Sequence, residues 1–151
     1  MSITFPTNTA DVIDEIRGAI GRSITFYVVT VSGCQACTLD PITNTSTDSF
    51  CPVCSGVHWI VTLSGAAINA HIIWGNVDSL GWYPGGQTLE GDCRAQIKYT
   101  LPNITIVDSV FENQSIYGAY IDVDGKHMEI KNKVLRGVPE INRILIDLKE
   151  V

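Results

Sequence analysis

Four of the five cysteines fall into two pairs of identical spacing, Cys34-Gln-Ala-Cys37 and Cys51-Pro-Val-Cys54, with 13 residues between them. A CxxC turn directs two sulfurs toward one point, and two such turns supply the four soft donors of a tetrahedral metal site. The intervening segment, residues 38–50, is built mostly of Thr, Asn and Ser around Asp40-Pro41, with too few apolar residues to order itself. Metal binding would supply that missing folding free energy. The expectation is one structural zinc held by Cys34, Cys37, Cys51 and Cys54; iron fits four thiolates equally well on chemistry alone. A closed four-cysteine set keeps no position for water, which argues against a catalytic metal. Two disulfides or a redox-active CxxC compete with this reading. Both are disfavoured by an N-terminus without a basic and apolar signal segment and by the lack of a thioredoxin-like βαβ pattern. His58 is a weaker candidate for replacing one ligand.

Other reactive groups carry less. Cys93 lies on the apolar side of an alternating segment and reads as a small buried hydrophobe. His71 and His127 have no Ser or Cys nucleophile at motif spacing. Asp122, Asp124 and Gly125 imitate the start of a calcium loop, but its twelfth position is Lys133 rather than Glu. No phosphate loop, dinucleotide fingerprint or paired-carboxylate motif appears, so the chain is not expected to be an enzyme. Trp82 and Tyr83, before Pro84-Gly85-Gly86, are candidate partner contacts, whereas Trp59 and Trp74 are expected in the core.

Charge narrows the partners. The chain has 151 residues and a formal charge of -6, with +2 on the last 26 residues and therefore -8 on the rest. No Lys or Arg occurs between Arg22 and Arg94. A metal loop that gripped phosphates would need cations there, so sequence-specific nucleic-acid binding is disfavoured. No apolar run reaches the length that crosses a bilayer as a helix, and no membrane partner is expected.

The elements that must position the cysteines read as one β-rich domain spanning residues 1–151. Val12, Ile13, Ile16, Ala19 and Ile20 recur at helical spacing after Asn8-Thr9, predicting an amphipathic helix over 10–20 with Asp11, Asp14, Glu15 and Arg17 on its polar face. Strands are expected at 24–31, 59–63, 67–74, 93–99, 104–111, 117–123, 126–131 and 143–148. Ser64-Gly65, Pro102-Asn103 and Asp124-Gly125 serve as turns, the last a type I′ hairpin signal. Together these give a mainly β fold: a small antiparallel barrel or sandwich, one short N-terminal helix, and a zinc-ribbon-like insertion at 32–57.

Two resemblances follow from these residues. Cys51-Pro52-Val53-Cys54-Ser55-Gly56 resembles the zinc-ribbon or rubredoxin knuckle, in which backbone amides turn toward sulfur. The order of a short helix, a strand, the CxxC loop, Gly91-Asp92 opening a later strand, and a hairpin leading through Arg136-Gly137-Val138-Pro139 and Asn142-Arg143 to a last strand resembles neck proteins of tailed bacteriophages, closest to the head-closure or stopper class. That resemblance implies a structural virion component, assembled in the host cytoplasm, forming a homo-oligomeric ring between portal or adaptor and tail proteins, with DNA passing through. A zinc-ribbon adaptor or chaperone-like protein-binding module is the alternative, and a CxxC oxidoreductase a more distant one.

Overall fold

The computed structural model describes residues 7–75, 92–137 and 140–151. Six antiparallel strands close into a barrel in the order β1 (Arg22–Gly33), β4 (Trp59–Trp74), β5 (Cys93–Lys98), β8 (Arg143–Glu150), β7 (Lys126–Arg136) and β6 (Tyr120–Val123). Helix α1 (Thr9–Ile20) precedes the barrel, and α2 (Leu101–Tyr117) lies between β5 and β6. A two-stranded ladder of β2 (Leu39–Asp40) and β3 (Thr45–Ser46) sits in the cysteine insertion. The mainly β architecture expected from the sequence, with an N-terminal helix and an inserted loop, is therefore present.

The barrel interior follows from strand alternation, since every second side chain faces inward. Cys93, Ala95 and Ile97 on β5 meet Ile144, Ile146 and Leu148 on β8, all fully buried. Cys93 is thus a packed hydrophobe, and burial pushes its thiol up to about 12. The Asp124-Gly125 turn between β6 and β7 has φ of 54° and 80°, the double positive φ that a type I′ hairpin demands.

Several expectations are corrected. Residues 104–111 are not a strand but part of α2. Thr100 caps that helix by accepting a hydrogen bond from the Asn103 N–H at 3.3 Å, Pro102 occupies its first turn, and Gly118 ends it at φ 70°. Pro102-Asn103 therefore starts a helix rather than making a turn between strands. The β-branched residues suggested a strand, but burying Val107 and Val110 against the barrel decides for the helix. The Gln114 side chain then bonds both the N–H and the C=O of Ile130 at 2.8 Å, where the β7–β8 register shifts.

Ser64-Gly65 makes no turn either; β4 runs unbroken through it and stays in register with β1. Gly65 instead lies close under β1, where a Cβ would be 3.1 Å from the Thr25 side chain. Trp59 and Trp74 are not core: each is 37% exposed. Helix α1 meets the barrel through a mixed face of Ile13, Asp14 and Arg17 rather than through its apolar stripe. Val12, Ile16 and Ile20 face outward, while Asp14 and Arg17 lie against the barrel, where Arg17 Nη1 donates to the Asn142 carbonyl at 3.3 Å and Lys98 Nζ pairs with Asp14 at 3.0 Å. The outer face of the barrel beneath α1 is polar, with Asn69, Gln96 and Lys98, and it selects that side of the helix.

The outer side of β5 is not simply wet. Arg94 and Asp147, paired across β5 and β8, are 6% and 2% exposed and joined by two hydrogen bonds of 2.6 and 2.9 Å. Removing one partner of a buried pair strands the other charge, whereas replacing both with apolar groups is nearly neutral. Arg94→Ala is expected to destabilise the fold by about 3–5 kcal/mol, and the double variant Arg94→Met, Asp147→Leu by much less. Denaturant midpoints of the three proteins check this; equal losses in single and double variants would contradict it.

Candidate metal centre

Strands β1 and β4 outrun the barrel. β1 pairs with β6 only over residues 25–27, and β4 pairs with β5 only over residues 70–74, yet β1 and β4 stay paired with each other out to Gly33 and Trp59. Residues 28–33 and 59–64 therefore form a two-stranded arm. Such a ribbon is marginal in water by itself. The cysteine insertion closes its far end, spanning residues 34–58 where the sequence placed 32–57.

There the four predicted ligands converge. The sulfurs of Cys34, Cys37, Cys51 and Cys54 all lie within 4.8 Å of one another, with Cys34 to Cys51 at 3.8 Å and Cys37 to Cys54 at 3.5 Å. A tetrahedron with metal–sulfur bonds of about 2.3 Å has edges of about 3.8 Å. The set fits one metal ion. These separations are also far above the roughly 2.05 Å of a disulfide, and all five cysteines are free. Cys34, Cys51 and Cys54 are buried and Cys37 is half-buried.

The local fold explains the convergence. Asp40 Oδ1 accepts the Ile42 N–H at 2.9 Å and Asn44 takes φ 55°, turning β2 back onto β3. Ser46 N–H then reaches the Gly56 carbonyl at 3.0 Å, which holds the second knuckle over the first. Gly56 has φ 87°, and a Cβ on it would lie 2.8 Å from the Ser49 carbonyl oxygen, so only glycine fits. Cys34 N–H bonds the His58 carbonyl at 2.7 Å and ties the insertion to the first residues of β4.

The sulfurs differ electrostatically. Burial opposes ionisation of Cys54, but the backbone N–H groups of His58 and Gly56 and the neighbouring thiols of Cys37 and Cys51 outweigh it and draw the thiol down to about 6. Those amides turned toward sulfur are the feature that the Cys-Pro-Val-Cys-Ser-Gly pattern led us to expect. At Cys37 a hydrogen bond with Ser46 favours the thiolate, yet burial and the other three sulfurs prevail and push it up to about 12. Four thiolates this close need a cation to coexist.

His58 does not displace a ligand. Its Nδ1 lies 3.4 Å from Cys37 Sγ, the ring packs edge-on to Trp59 at 5.2 Å, and Gly33 leaves room for it, since a Cβ there would be 3.2 Å from Nε2. It is a hydrogen-bonding neighbour of the sulfur shell that spacing alone assigned only as a substitute ligand. Trp59 Nε1 donates to the Asn44 carbonyl at 3.0 Å and braces the same loop. His127 stacks on Tyr120 at 4.2 Å and His71 lies half-buried on β4, both away from the sulfurs. Trp82 and Tyr83, the candidate partner contacts, lie outside the described residues.

The arm carries an exposed apolar row that no sequence motif signalled. Val29 faces Leu63, Val31 faces Val61 and Gly33 faces Trp59, so these side chains share one face, with Val31, Val61 and Leu63 each at least 40% exposed. At the tip Ile42 and Phe50 are 91% and 92% exposed. Comparison with known protein families, with curated proteins and with solved structures finds no match for the chain.

Two outcomes are expected. Binding one metal ion displaces protons from the thiols, so affinity falls with pH, most steeply below about 6 where Cys54 also protonates; competition with a chromogenic chelator across pH measures this, and a pH-independent affinity would contradict thiolate ligation. His58→Ala, which removes a group bonded to a ligand rather than a ligand, should keep one metal per chain with affinity lowered about 10–100-fold.

Proposed function

We propose that this chain is a structural component of a tailed-phage virion, a head-closure or neck protein that assembles as a ring at the head-to-tail interface, and that its metal is zinc. The observation that carries the reading is the arm: a two-stranded ribbon clamped at its end by four cysteines, with Trp59, Val61, Leu63, Ile42 and Phe50 exposed. A small barrel with a stiff, apolar projection is suited to holding neighbours in fixed geometry, and exposed aromatic and aliphatic anchors are the usual carriers of contact energy. The order of sequence features that resembles the stopper class supports a setting between portal or adaptor and tail. The net charge of -6 suits a ring that lets DNA pass without holding it.

Zinc is favoured because a closed four-thiolate site serves structure and needs no redox change. The reading assigns no catalysis to the chain, since such a site has no position left for substrate. The exposed tip also suits a protein-binding adaptor, which would remain a monomer or dimer without joining a particle.

The test is to purify particles from an infection in which this chain is tagged, and to analyse them by mass spectrometry, elemental analysis and electron microscopy. The expected result is the chain in a ring between portal and tail with about one zinc per copy. Particles without the chain, or a purified chain with neither zinc nor iron and with two disulfides, would overturn the proposal.

A further inference from the structure

The arm has a feature that its apolar face does not explain: a long strand edge that no strand among the described residues pairs. Residues 59–69 of β4 pair with β1 on one side and with no described strand on the other. Trp59, Val61 and residues 62–65 are exposed, and so are Thr30, Val31 and Ser32 of β1, where pairing with β6 has already ended. Folded proteins blunt such edges with Lys, Pro, bulges or a covering element. Here residues 23–39 and 49–77 hold no charged residue of either sign, no proline falls in 59–69, and the register with β1 runs without a shift.

We infer that the free β4 edge of the arm pairs with the free β1 edge of a second copy of this chain, forming one antiparallel sheet across copies. Three observations select that occupant. A strand edge is completed by another extended strand, and each arm carries both edges, one on β4 and one on β1. Arms standing side by side around a rotation axis all point the same way, which sets β4 of one copy antiparallel to β1 of the next because the two strands of each arm run oppositely. Such a head-to-tail contact closes into a ring or continues as a filament. Charge gives the third: the chain repels itself at -6, and the arm strands are uncharged, so copies meet there without like-charge contact. An exposed β4 edge over residues 59–67 is about 30 Å long. The inference concerns the mode of self-association and rests on the proposed ring only for its closure.

Proline scanning at Val61 and Thr62 tests it. Neighbouring residues in a strand point their N–H groups to opposite edges, so one of these two prolines breaks the β1 bond and the other touches only the free edge. The variant that retains one metal per chain is the edge-directed one. Sedimentation of metal-loaded wild type is expected to show species larger than monomer at high concentration, and the metal-retaining proline variant should weaken association by about tenfold or more. A wild type that stays monomeric at the highest soluble concentration, or a metal-retaining proline variant that associates like wild type, would overturn the inference. If neither variant keeps its metal, hydrogen exchange of residues 59–67 in wild type decides: protection that grows with concentration supports edge pairing, and protection independent of concentration overturns it. Edge-paired copies that never enter a particle would remove the virion reading and leave this one standing; particles containing the proline variant at wild-type level would do the reverse.

Discussion

Four sulfurs within 4.8 Å of one another are the constraint on which the projecting half of this molecule depends. Thiols so close cannot all ionise without a cation, and the polar insertion between them buries almost nothing beyond the cysteines themselves. The β1–β4 arm has no third strand over its outer residues, so beyond its own ladder it relies on the knuckle at its tip. Barrel and arm therefore depend on different physics: one on alternating Ile, Val, Leu and Ala side chains packed inward, the other on a few backbone hydrogen bonds and a cysteine cluster that could hold a metal ion.

This division suits a part that must be stiff yet exposed. A hydrophobic core would have to be covered from every side, whereas a metal held by the four cysteines would order the loop while leaving Ile42, Phe50 and Val53 in solvent. Helix α1 shows a parallel economy on the barrel: it seats Asp14 and Arg17 on a polar wall and leaves Val12, Ile16 and Ile20 outward. Both surfaces leave apolar side chains exposed.

Much of this was legible in the sequence where a local rule has one geometric answer. Two CxxC pairs can converge only on a shared point, Asp124-Gly125 specifies a tight hairpin, and alternation in Cys93, Ala95 and Ile97 marks a half-inward strand. The failures occur where local preference competes with context. The β-branched residues of 104–111 favour a strand in isolation, yet a Thr100 cap, Pro102 and Gly118 bracket a helix whose apolar residues are too scattered to display a period. Ser64-Gly65 has the composition of a turn, but its partners on β1 hold it extended. Trp59 and Trp74 have core composition, and only the three-dimensional arrangement shows that the barrel stops before Trp59. Which side of α1 meets the barrel depended on the polarity of strands distant in sequence, which no pattern within the helix reveals.

The central claim is that the metal clamps the arm and not the barrel. Hydrogen exchange read by mass spectrometry, before and after removal of the metal with a strong chelator under reducing conditions, tests it most directly. The account predicts that amides in residues 28–33 and 59–64 lose protection while those of β5 and β8 keep theirs. Unchanged protection in the arm, or simultaneous loss throughout the barrel, would contradict it.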